Sequence, residues 1–176
     1  MSKTQIATGG IADSAVTSAK ASGLGISEAD MFRLTTNLQA NADPITSNLE
    51  RVDDATFSKI GTGMTLSSGI YTFPSTGLYQ VGVNAVFQIS QDEIAGIQTM
   101  VSSNSGTDYD QVAFTYAGEQ SSSFASFSSS TTAFVNVTNA SNFRVKFVLS
   151  GVASTDTRLK GSSSNNETAF SFIRLE

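Results

Sequence analysis

The side chains in this sequence that could do chemistry are three acidic pairs, Asp53-Asp54, Asp92-Glu93 and Asp108/Asp110. Two carboxyl groups held about 5 to 10 Å apart can hydrolyse a glycosidic bond, and a cluster of carboxylate oxygens can bind Ca²⁺. All three pairs fall in predicted loops or at strand ends, where solvated acidic residues are common. The pattern therefore predicts no catalytic residue and no metal site at any of them.

Residue types exclude most other catalytic chemistry. The 176-residue chain contains no Cys and no His, so it has no thiolate nucleophile, no imidazole base and none of the usual zinc ligands. The glycine pairs at 23–25 and 61–63 are not followed by the Lys-Ser/Thr of a phosphate-binding loop, and we predict turns there. No serine lies in a Gly-x-Ser-x-Gly elbow. We predict a protein that is not an enzyme and binds no cofactor.

The charge distribution limits the partners. Only 14% of the residues are charged, the net charge is −5, and the ten Lys and Arg residues are scattered along the chain. Without a basic stripe the chain cannot neutralise a run of phosphates, so nucleic acid is not an expected partner. The first residues are followed by no apolar run of signal or membrane-spanning length, so we expect synthesis in a cytoplasm and no membrane insertion.

The first 26 residues repeat with a period of five. They contain no aromatic residue, and their larger apolar residues include Ile6, Ile11 and Val16. A period of five matches neither a helix nor a strand, and one apolar residue in five buries too little surface to fold alone. Copies wound around an axis could bury this seam between them. We predict a pentad-repeat stalk over residues 1–26; a Ser/Ala/Gly-rich disordered linker is the alternative.

Residues 27–44 are predicted to form a connector with one short helix. Ser27 with Asp30 three positions later resembles a capping box, and residues 31–34 would form the body of the helix. Thr35-Thr36-Asn37 favours termination. A strand through residues 32–35 remains the alternative.

Short alternating apolar runs begin after residue 44. The clearest cover residues 79–89 and 143–149, and turn residues separate nearly all of the others. The weaker candidates are 57–60, 70–73, 97–101, 112–116, 124–127, 133–137 and 157–159. Many short strands with almost no helix predict an all-β sandwich or jelly roll over residues 45–176.

The last predicted strand, residues 169–175, is apolar on both faces. One face of a monomeric sandwich sheet contacts water, so a neighbouring subunit is the simplest cover for the second apolar face. We therefore predict that Phe170, Phe172 and Ile173 lie at a subunit interface, together with Ile6, Ile11 and Val16 of the stalk.

Residues 70–81, with the pattern Phe-x-x-x-Gly-x-Tyr-x-Val, resemble the core signature of complement globular heads and tumour-necrosis-factor-like proteins. Residues 142–147 and 168–175 resemble the last strands of that family. The resemblance covers roughly residues 45–176. It implies a ten-stranded jelly-roll protomer that assembles as a homotrimer, so the six residues named above become candidates for a trimer interface.

Residues 29–36, 43–51 and 60–64 are similar to segments of structural proteins of tailed phages, and residues 12–20 are similar to repeats at the bases of phage head and tail fibres. This resemblance implies a capsid or tail decoration, or a short fibre, on the virion. Its N-terminal segment would bind another virion protein, and its head would contact a host surface glycan or protein through residues that the sequence does not identify. The alternatives are a capsule-polysaccharide-degrading fibre tip and a pure capsid cement protein.

Overall fold

The computed structural model describes residues 25–90, 94–118, 124–154 and 156–175. These residues form eleven β-strands and no helix, and therefore no helix long and apolar enough to cross a membrane. The strands are β1 (Ala29–Leu34), β2 (Leu49–Arg51), β3 (Thr65–Ser67), β4 (Ile70–Thr72), β5 (Gly77–Ile89), β6 (Ile94–Ser102), β7 (Asp110–Gly118), β8 (Ala125–Val137), β9 (Arg144–Ser150), β10 (Arg158–Leu159) and β11 (Ala169–Arg174).

The strands pair antiparallel in two sheets. The six-stranded sheet, called sheet A, has the order β10-β5-β11-β1-β2, and β8 pairs with β5 along residues 77–89. The five-stranded sheet, called sheet B, has the order β3-β4-β9-β6-β7. Some neighbours are consecutive strands, as in β3-β4 and β6-β7, whereas others, such as β5 and β11, are distant in sequence because the chain crosses between the sheets repeatedly. The predicted all-β jelly roll is confirmed.

The core lies between the two sheets. Alternate residues of β5 are buried along most of its length, as the period of two predicts. An aromatic cluster joins the sheets: the Phe147 ring of sheet B stacks on Phe170 of sheet A at 4.2 Å between centroids, and Tyr71 packs edge-on to Phe32 at 5.1 Å. Long-range pairing of large side chains therefore holds the sandwich closed.

The predicted helix in residues 27–44 is wrong, because this segment forms β1. The burial of Asp30, Phe32 and Leu34 follows a period of two, and β1 pairs with β11 on one side and β2 on the other. A capping box contributes only about 1 kcal/mol, whereas burying the two large apolar side chains contributes about 1.5 to 3 kcal/mol each. Tertiary packing therefore outweighs the local helix signal.

Candidate functional site

The described acidic pairs have separate partners within the chain. Asp53 and Asp54 both bind Arg33, and Asp108 accepts a hydrogen bond of 3.0 Å from the Asn104 side-chain amide. Asp92-Glu93 lies outside the described residues. Within the described parts of the chain, no group of three or more acidic side chains is arranged to hold a metal ion.

The buried Arg33 side chain is the centre of a charge cluster on the outer side of β1, and its carboxylate partners are partly or largely exposed. Its side chain is 1% exposed, and its three nitrogens donate to Glu50 at 2.6 Å, Asp53 at 2.6 Å and Asp54 at 2.7 Å. The hydrogen bond with Glu50 is the largest cause of a raised pKa of the Arg33 guanidinium, and the charge of Asp54 adds to it. Arg33 therefore stays charged and links β1 to β2 and to the loop that follows β2.

A second charge cluster closes the end of the sandwich where β1 begins. The buried Asp30 carboxylate accepts from Arg51 Nε at 3.0 Å and from the Met64 backbone N–H at 2.8 Å. The Gly63 N–H donates to Glu28 at 2.8 Å. The glycine turn at 61–63 thus binds carboxylates of this same chain, which is a structural role and agrees with its prediction as a turn.

The outer face of sheet A presents side chains in rows across its strands. Backbone pairing aligns Ala29, Ile173, Gln80 and Phe134 in one row and Met31, Ser171, Gly82 and Thr132 in the next. The second row has mostly small side chains, so the surface sinks there into a depression of about 170 Å³. Its lining comprises Met31, Gln80, Gly82, Val83, Asn84, Ser130, Thr131, Thr132, Ala169 and Ser171.

Phe134 is the large apolar side chain beside this depression. Its exposed fraction is 67%, although both of its neighbours along β8, Ala133 and Val135, are buried in the core. The exposed phenyl ring and the adjacent recess together make this face a candidate contact surface.

Sheet B carries a second exposed apolar feature on its outer face. Phe114 and Tyr116 of β7 stack with 5.6 Å between ring centroids and an interplanar angle of 26°. The two residues are 41% and 61% exposed. We call this pair the aromatic platform. Ile94, 62% exposed, lies near it at the start of β6.

The predicted interface residues are placed differently from one another. Phe170 and Phe172 point into the protomer's own core and are 0% and 1% exposed, so sheet B of the same chain covers them and leaves no surface for a second subunit. Ile173 points to the outer face of sheet A and is partly buried. Ile6, Ile11 and Val16 lie outside the described residues.

The sequence interpretation missed Phe134 and the aromatic platform. Their strands were predicted, but alternation alone assigns the larger residues to the core face. On β7 the smaller residues Thr115 and Ala117 are buried and the rings are outside. The sequence does contain one signal for the platform: small and large side chains alternate strictly within residues 113–117, so one face of this strand carries only rings and the other only small side chains.

No family model and no curated protein matches this sequence. Solved structures match its fold. A crystal structure of murine APRIL at pH 5.0 matches with a TM-score of 0.60 over 84% of this chain and 98% of that chain, at 12% identity. The structure of Eiger TNF from S. frugiperda matches with a TM-score of 0.64 over 84% of this chain and 92% of that chain, at 14% identity. The chain therefore has a tumour-necrosis-factor-like jelly-roll fold.

Proposed function

We propose that this chain is a non-enzymatic structural protein that works as a homotrimer, with the outer face of sheet A as the contact between subunits. The observation that carries the proposal is the exposed Phe134 beside the depression lined by Gly82 and Ser171. A trimeric structural or ligand-like protein is also consistent with the tumour-necrosis-factor-like fold.

The two features of this face fit a cyclic arrangement. Phe134 projects from the face and the depression recedes, so they are dissimilar surfaces of one protomer. Contacts between dissimilar surfaces place subunits head to tail, and such contacts close into a ring when the rotation between neighbours divides a full turn. The Phe134 ring of each protomer would thus pack over the depression of the next. The partly buried Ile173, in the same row as Phe134, would extend this contact.

The finer part of the proposal places the homotrimer on a virus particle as a capsid or tail decoration or a short fibre. It is supported by the similarity of residues 12–20, 29–36 and 43–51 to segments of phage structural proteins. Residues 1–26 would bind another virion protein, and the head would contact a host surface glycan or protein. No catalytic role is assigned, since Asp53 and Asp54 both bind Arg33.

Native mass measurement tests the trimer. At about 10 µM, a concentration at which complexes with interfaces of standard size are commonly assembled, we expect three times the 18.4 kDa mass of one chain. Phe134→Ser should weaken the trimer at least about tenfold, because the contact loses a phenyl ring. Phe124→Ser is the matched control, since Phe124 is also exposed, at 56%, and does not line the depression. A monomeric wild-type protein would overturn the proposal.

Deletion of residues 1–26 tests the virion role. Particles of the virus that encodes this chain should contain the full-length protein after density-gradient purification. The truncated protein should remain trimeric but be lost from those particles. Particles that retain the truncated protein in normal amounts would show that this segment is not the anchor. Full-length protein that never accompanies the particles would refute the virion role itself.

A further inference from the structure

The aromatic platform has an arrangement that its own fold does not require. The β7 residues facing the core are small, and one of them, Thr115, hydrogen-bonds through its side chain to Ser129 of β8. The sandwich closes at this point without any contribution from Phe114 or Tyr116. Their rings instead leave apolar surface in water, which is unfavourable for an isolated head.

Gly96 leaves room for the Phe114 ring of the platform. It lies on β6 directly opposite Tyr116, and a methyl group at this position would lie 2.6 Å from the Phe114 ring. Because Gly96 has no side chain, the Phe114 ring lies down across the sheet and stacks on Tyr116. Any larger residue would force the ring away. The result is a continuous exposed aromatic surface formed by the two rings.

The two strands that carry the platform, β6 and β7, are almost uncharged, and the neighbouring β9 contributes Lys146, which is paired with Asp43. Gln98 is paired with Phe114 across the strands, and its side-chain amide donates a long hydrogen bond of 3.5 Å to the Ser150 hydroxyl. The strands β6 and β7 together contain one charged residue, Asp110, at the far end of β7. A strongly charged peptide or a nucleic acid would find little opposite charge on these strands. A neutral ligand needs no such charge in order to bind.

Neutral sugars match this chemistry. One face of a pyranose ring is a patch of C–H groups, which are attracted to the negative face of an aromatic ring. Its hydroxyl groups can exchange hydrogen bonds with an amide and a hydroxyl at the rim, here Gln98 and Ser150. The spacing of 5.6 Å between the two rings is close to the length of one sugar residue, so adjacent rings would contact adjacent sugars.

We infer that the aromatic platform of Phe114 and Tyr116 binds a neutral glycan chain by ring stacking. The inference rests on the proposed function in one respect: it requires the platform, on the outer face of sheet B, to stay uncovered when the outer face of sheet A forms the subunit contacts. It names the ligand class and the site for the host contact.

Binding is tested on the full-length protein with maltohexaose, cellohexaose, laminarihexaose and mannohexaose, by saturation-transfer NMR and titration. We expect at least one to bind, and Tyr116→Ala and Phe114→Ala each to weaken that binding about tenfold. Phe124→Ala should bind like wild type. A sulfated heparin hexasaccharide should not bind.

Native mass measurement on the same samples separates the two proposals. Trimeric protein that binds none of the four hexasaccharides overturns the glycan inference and leaves the trimer standing. Platform variants that become monomeric show that the rings are a subunit contact and also overturn it. Binding that both alanine variants retain places any sugar site elsewhere. Wild-type protein that is monomeric yet binds sugar through the platform refutes the trimer and keeps the glycan site.

Discussion

Removing the Arg33 guanidinium should destabilise the head more than removing any cation of an exposed ion pair. Arg33→Met keeps the apolar stem in its place but leaves Glu50, Asp53 and Asp54 without their shared partner. The Arg33 side chain is 1% exposed, and all three carboxylates lie within 2.7 Å of its nitrogens. Loss of the guanidinium therefore removes the ion pairs that join β1 to β2 and to the loop after it.

The expected magnitude follows from the exposure of each partner. Breaking a fully buried ion pair costs roughly 3 to 5 kcal/mol, chiefly because the remaining charge is left unpaired. Here the Glu50 and Asp54 side chains are 34% and 41% exposed, so water partly replaces the lost partner. Asp53 is 75% exposed and contributes little. We therefore expect Arg33→Met to lower the free energy of unfolding by about 2 to 3 kcal/mol.

Urea unfolding followed by circular dichroism measures this change, at one fixed protein concentration because assembly also contributes to stability. Lys160→Met is the matched control: its pair with Glu167 is 3.3 Å long with both side chains 31% exposed, and it should cost less than about 1 kcal/mol. Adding Glu50→Gln to Arg33→Met should restore part of the lost free energy of unfolding, because it removes one of the carboxylates left without a partner. If Arg33→Met and Lys160→Met lowered the free energy of unfolding equally, the reasoning would be refuted.

Two further predictions concern the core and one turn. The buried Tyr71 hydroxyl has no hydrogen-bond partner in the described protein, so Tyr71→Phe should raise the free energy of unfolding by about 1 kcal/mol in thermal melts. Burial raises the pKa of Tyr71 above its ordinary 10.0, so wild-type stability should fall as pH rises above that value, and the variant should lose less. Gly151 has φ of +81° and a methyl group there would meet the Ile94 carbonyl oxygen, so Gly151→Ala should cost about 3 kcal/mol or more. Gly25→Ala, with φ of +89° but open space, should cost only the backbone strain of about 1 to 2 kcal/mol.

The sequence predicts the fold well where strands are long and one face is buried. The alternation along β5 and β9 is visible in the residue types, and the structure buries the same residues. It fails at β1, where the capping-box pattern is local and the deciding interactions are with residues 169–173. Those partners lie more than 130 positions away, so no short window of sequence contains the information that makes this segment a strand.

The interface prediction fails at Phe170 and Phe172 for a related reason. Both were assigned to a second subunit because the last strand is apolar on both faces. In the structure β11 lies in the middle of sheet A, so its inner face is covered by Tyr71 and Phe147 of sheet B. Composition shows that a strand needs cover on its apolar faces. Which surface provides that cover depends on strand order, which composition does not contain.

β7 and β8 place aromatic side chains on their outer faces, where these side chains do not contribute to the core. The two sheets approach each other closely here, as the hydrogen bond between Thr115 and Ser129 shows, so only small side chains fit between them. This explains why Thr115 and Ala117 face inward. It does not explain why rings occupy the outward positions, since a polar residue there would keep the same interior and expose less apolar surface to water. The outward rings of Phe114, Tyr116 and Phe134 are therefore better explained by contacts made outside the protomer than by the stability of the head itself.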